Sequence, residues 1–149
     1  MRHPLHPMLV HFPLACWSLA TIADFASAHY GKPAWHLAGT LLLIGLVMAL
    51  PAIVTGVIEL IQVPDERAAM RDAYLHMVVM MLAFALYAAS LLMRVDAGHF
   101  IAPGVAAITV SACGFVALMI GGWLGGTLVY GHGIGGPARI PVSSANPEK

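Results

Sequence analysis

Four apolar stretches dominate the chain, at about 8–27, 36–63, 72–94 and 102–130. Each is long enough to cross roughly 30 Å of hydrocarbon as a helix of about 20 residues. A backbone inside a bilayer must satisfy its own hydrogen bonds, so single stretches of this length become helices. With 60 % apolar and 9 % charged residues, the 149-residue sequence carries more apolar surface than one soluble core could bury. The intervening connections are short, about 28–35, 64–72 and 95–101, which makes consecutive helices antiparallel neighbours. The expected fold is all-α and integral to the membrane. It is one up-down-up-down four-transmembrane-helix bundle over 1–137, followed by a flexible tail over 138–149.

Arg2 ahead of an apolar run, with the small residues Ala26-Ser27-Ala28 after it, imitates a secretory signal. His11, Pro13 and Asp24 lie within or beside that run, where a signal peptide keeps an uninterrupted apolar segment, so the first stretch reads as a span. Cys16 and Cys113 both fall inside spans and read as small packing residues, not as a disulfide. Of the seven Lys and Arg, Arg2, Arg67, Arg71, Arg139 and Lys149 fall on one side of the folded-back chain, and Lys32 and Arg94 on the other. This excess places both termini in the cytoplasm of a bacterial-type inner membrane. No basic patch of the size that nucleic acid requires remains.

Local signals set the helix ends. Pro64-Asp65 closes the second span and offers Asp65 as an N-cap, with Glu66 at the positive end of the third helix dipole. Pro103 suits the first turn of the fourth helix, and Gly131-His132-Gly133 with Gly135-Gly136-Pro137 ends it. Pro51 cannot donate to the carbonyl of Val47 and should kink the second helix near its middle, and Pro13 leaves the carbonyl of Leu9 without a donor. The first helix therefore starts at Pro13 or bends beside His11.

Folding the spans back and forth sorts the eight histidines. His6 and His11 enter the first span, His76 lies about one turn inside the third and His132 leaves the fourth, all at one end. Glu59, late in the second span, arrives at the same level. His29, His36 and His99 belong to the opposite end and read as interfacial, as does His3; Asp24 reads as a solvated helix end. Ionisable groups inside a membrane are costly and normally face the bundle interior. His76 shares its helix face with Met80, Ala83 and Tyr87, beside a stripe of Met77 and Met81. In the fourth span GGWLGG sets Gly121 and Gly122 four residues before Gly125 and Gly126, leaving one side nearly without bulk. Close helix packing explains such a face; so does a flat ligand lying against bare backbone.

Two kinds of cofactor suit this arrangement. Haem b, one or two, needs axial ligands from facing helices and a slot free of bulky side chains. His11 and His76 are the preferred axial pair, with His6 and His132 as a second pair or as their supports, and Gly121, Gly122, Gly125 and Gly126 forming the slot. A bare Zn, Fe or Cu ion needs three or four converging ligands, drawn from His11, His76, His132, His6 and Glu59. The absence of C-x-x-C-H makes any haem non-covalent. A structural subunit, with interfacial histidines and a partner helix on GGWLGG, is the third reading.

The opening HPLHPMLVHFP and the closing GGTLVYGHGIG at Gly125 to Gly135 resemble the paired signatures of a family of small four-span membrane proteins catalogued as domain of unknown function 2231. The resemblance runs from the His-Pro repeat to the final span. Members occur fused or adjacent to Rieske iron–sulfur proteins and c-type cytochromes, which implies electron transfer for relatives and, by analogy, for this chain. Its matched residues are His6, His11 and His132, with Glu59 at the family's acidic position. The expectation is a membrane-embedded b-type haem protein of electron transfer in the lipid bilayer, served by a separate redox partner protein or quinone and open to homo-oligomer formation. The alternative is a transition-metal binding or transport module.

Overall fold

The structure, a computed structural model, describes residues 5–61 and 67–134. A short helix α1 (Leu5–Leu9) leads into α2 (His11–Tyr30), followed by α3 (Lys32–Leu60), α4 (Arg67–Leu92) and α5 (Val105–Gly126). A π-helical turn, Thr127–Gly131, extends α5. Four helical stretches, Leu5–Tyr30, Lys32–Leu60, Ala68–Leu92 and Val105–Gly131, are long and apolar enough to cross a membrane. The long helices pack as two hairpins, α2 on α3 and α4 on α5, closed by contacts of α3 with α4 and of α2 with α5. This is the four-helix membrane bundle expected from the apolar runs.

The first helix begins at Leu5, well before Pro13, and breaks at Val10. Of the two expectations for Pro13, a start there is not met, and the bend beside His11 is. The missing N–H at Pro13 leaves Leu9 without its usual partner, while Val10 N still donates to His6 O and Leu14 N to Val10 O at 3.1 Å each. The residues expected to form the first connection, 28–35, are mostly helical. Only Gly31 separates α2 from α3, at φ 61° and ψ −134°. Its N–H closes α2 on Ser27 O (2.9 Å), its carbonyl opens α3 for Ala34 and Trp35, and Pro33 sits in the first turn. α3 continues through Pro51 as one element.

The third connection folds further than expected. Val95–Asp96 and His99–Phe100 pair antiparallel as strands β1 and β2, turning through Ala97 (φ 46°) and Gly98 (φ 78°). α5 then starts at Val105 behind Gly104, so Pro103 lies outside the helix and not in its first turn. The expected Asp65 cap, His3, Gly135 to Pro137 and the tail lie outside the described residues.

The core is built by aromatic rings seated on glycines. Trp17 and Tyr87, both essentially unexposed, stack with ring centres 4.9 Å apart. A Cβ on Gly45 would lie 2.5 Å from the Trp17 indole nitrogen, and one on Gly114 would lie 3.3 Å from the Tyr87 ring. Lipid offers no hydrophobic drive between helices, so close packing of this kind has to supply the association. Thr21 joins the layer, its Oγ1 3.2 Å from the Tyr87 hydroxyl and 3.4 Å from Ser111 Oγ. The outer faces carry large exposed apolar residues such as Ile22, Val54, Val78 and Val116, as a lipid-facing surface does.

Candidate functional site

At the end of the bundle where α1, the last turns of α3, the first turns of α4 and the π-turn meet, two imidazoles come together. The rings of His6 and His76 have centres 6.4 Å apart and planes at 85°. Each is seated in the same way on a neighbouring helix. His6 lies over Gly56 of α3 and its Nδ1 donates to the Ala52 carbonyl at 2.7 Å. His76 lies over Gly125 of α5 and its Nδ1 donates to the Gly121 carbonyl at 2.9 Å. In both cases the glycine stands four residues after the acceptor, so ring and carbonyl occupy one helix face. A Cβ at Gly56 would come within 2.9 Å of His6 Cε1, and one at Gly125 within 3.1 Å of His76 Cε1. An added carbon at either position would press on the ring above it, more at Gly56 than at Gly125.

A carbonyl oxygen can only accept, so each Nδ1 carries a proton, and a ring in its neutral form then keeps its lone pair on Nε2. Among the described residues neither Nε2 has a hydrogen-bond partner. Fixing one ring nitrogen on a carbonyl while leaving the other bare is how proteins orient a histidine toward a metal. Glu59 completes this end by accepting from the backbone N–H of His6 at 3.2 Å, which caps the start of α1.

The rings border a partly open cavity of about 330 Å³, lined almost wholly by apolar groups, among them Val10, Trp17, Met80, Phe84 and Leu128. Gly122 and Gly125 supply bare backbone to its wall. Gly121 contributes its carbonyl and lies against Met80, while Gly126 faces open space. The glycine cluster thus divides, and only part of it borders the candidate slot.

The remaining expected ligands go elsewhere. His11 is exposed and outside the cavity lining, and it is His6, not His11, whose ring stands beside His76. The physical reason is the break at Val10: His6 sits on α1 and His11 opens α2 beyond the break, so the two side chains take separate directions and only His6 borders the cavity. His132 pairs through Nε2 with Asp72 Oδ2 at 2.9 Å, each side chain about a quarter exposed. The π-turn sets this contact, since His132 N bonds to Thr127 O and Gly133 takes φ 71°. Among the described residues no three His, Cys, Asp or Glu side chains gather closely enough to hold an ion. Gly56, the Ala52 carbonyl and Asp72 were not anticipated; a glycine three residues before Glu59 was the available signal for the first.

The opposite end holds a correction. Asp24, expected as a solvated helix end, is fully buried and paired with Arg94, itself 1 % exposed. Arg94 donates from NH1 to Oδ1 at 2.5 Å and from NH2 to Oδ2 at 3.1 Å. Its Nε and NH2 also reach the Ser90 carbonyl (3.0 Å) and hydroxyl (2.7 Å), and that hydroxyl donates onward to Ala107 O at 2.8 Å. Sequence order hid the pair because its members stand 70 residues apart. His29, His36 and His99, at the same end, are exposed as expected.

A family model described as a predicted membrane protein, DUF2231, matches residues 2–137. No curated protein and no solved structure matches the chain.

Proposed function

The chain belongs to the DUF2231 family of predicted membrane proteins, and from that premise we propose that it is a membrane-embedded b-type haem protein of electron transfer with His6 and His76 as axial ligands. The observation that carries this reading is the pair of matched imidazoles with bare Nε2 atoms beside an apolar cavity. A metal–imidazole bond is about 2 Å and the nitrogen lies about 1 Å from its ring centre, so two imidazoles across one metal have centres about 6 Å apart. The rings here stand at 6.4 Å. A ligand spanning the rings through hydroxyls at its two ends would need them several ångströms further apart.

Haem supplies a one-electron Fe(III)/Fe(II) couple when bound. The chain's own residues orient both imidazoles through Ala52 and Gly121 carbonyls, clear their approach at Gly56 and Gly125, and surround the slot with apolar side chains that exclude water. Held by both imidazoles, a haem would have no coordination position left for a substrate, which would favour electron passage over stand-alone catalysis. One haem is proposed, because His6 and His132 form no second pair. The excess of Lys and Arg on the imidazole side supports a cytoplasmic placement of that end, and electrons would be exchanged with a separate protein or a quinone. A bare ion lacks a third converging ligand among the described residues.

A reduced-minus-oxidised spectrum of detergent-purified protein tests the reading. Expression with ample haem should give an α-band that His6→Ala and His76→Ala each abolish or shift, while His11→Ala and His99→Ala leave it unchanged. The absence of any α-band from the wild type would overturn the proposal.

A further inference from the structure

The cavity is longer than a pair of imidazoles requires. Its ionisable lining residues, His6, Glu59 and His76, lie together at one end, whereas Trp17, Ala49 and Phe84 line the other. His76 and Phe84 are eight residues apart on α4, and Ala49 and Glu59 ten apart on α3, so the apolar part extends for about 12–15 Å at 1.5 Å per residue. Pro13, Leu14 and Met80 line the way between. A cavity of this composition is unfavourable for water, and its division into a polar end and an apolar length matches an amphiphile. Among the described residues no Lys or Arg side chain lines it.

We propose that the deep half of the cavity holds the isoprenoid chain of a membrane redox molecule whose head lies at the imidazole end. The proposal rests on reading the cavity as a ligand site and names the class of ligand. The chain belongs either to the haem, as a long alkyl substituent, or to a quinone.

Two pairs of probes separate these sources. The first compares haem b with a haem bearing a farnesyl-type side chain, read by the α-band. The second compares a decyl-tailed benzoquinone with the same quinone lacking the tail, read by quenching of Trp17 fluorescence in a Trp35→Phe/Trp123→Phe protein. In one pair the tailed member should bind at least tenfold more tightly. Ala49→Leu, which fills the deep end, should remove that advantage and leave the tail-less member's affinity unchanged. Should Ala49→Leu not accumulate, Leu14→Phe, one turn from Trp17, serves the same purpose. Equal affinities within both pairs overturn the proposal, and so does an advantage that survives the filled cavity, because that is partitioning into detergent. If the haem pair gives no α-band, the haem reading fails separately and the quinone pair still decides the chain.

Discussion

The two ends of the bundle both carry ionisable groups at membrane depth, but they use them in opposite ways. At one end Asp24 and Arg94 are more deeply buried than either histidine, and each polar side-chain atom of the cluster has a protein partner: carboxylate with guanidinium, guanidinium with Ser90, Ser90 with Ala107. At the other end His6 and His76 are held as firmly by Nδ1, yet each leaves Nε2 unspent beside a cavity. Burial marks both clusters as costly; unused valence is what distinguishes a site from a fastening.

Breaking the fastening should give the largest effect. Asp24→Asn or Arg94→Met alone leaves one buried charge without its partner and should cost about 3–5 kcal/mol, read as a large fall in the unfolding midpoint in detergent. Replacing both, as Asp24→Leu with Arg94→Met, should recover most of that loss. If the double replacement is as unstable as the singles, the cluster does more than hold the ends together.

The histidines should show the converse pattern. His6→Ala and His76→Ala each lower haem affinity at least tenfold, about 1.4 kcal/mol, with little change in the unfolding midpoint of the cofactor-free protein. Titration with haemin reads the first quantity and thermal unfolding the second. A smaller effect is expected from the seats beneath the rings. Gly56→Ala and Gly125→Ala push against the Cε1 atoms and should shift the α-band at a stability cost on the order of 1 kcal/mol. Gly126→Ala, with open space around its added carbon, should leave the band in place. The smallest effect belongs to the quarter-exposed His132–Asp72 pair, where Asp72→Asn should cost less than about 1 kcal/mol.

Most of the architecture was readable from the chain because bilayer thickness imposes a length on each span, and short connections then force neighbours to alternate in direction. The meeting of His6, Glu59 and His76 at one level followed from counting residues along those spans. The choice of His6 over His11 did not, because it depends on the break at Val10, and a proline signals a break without saying which way the preceding turn will point. Asp24 was misplaced for a related reason: its distance from the helix end is local information, whereas its partner returns from the end of α4. The seats at Gly56 and Gly125 were hidden by the many glycines that serve packing alone, as Gly45 does under Trp17.

Gly31 gives this arrangement a mechanical gauge. A connection of one residue, in a conformation that L side chains rarely adopt, has no slack, so α2 cannot slide along α3 to any useful extent. The ring of His6 must nevertheless come level with Gly56, nearly the whole length of the helix pair away from that turn. The height of one half of the candidate site is therefore measured out from the opposite membrane face, and residues inserted at Gly31 would detune it without touching a single atom of the cavity.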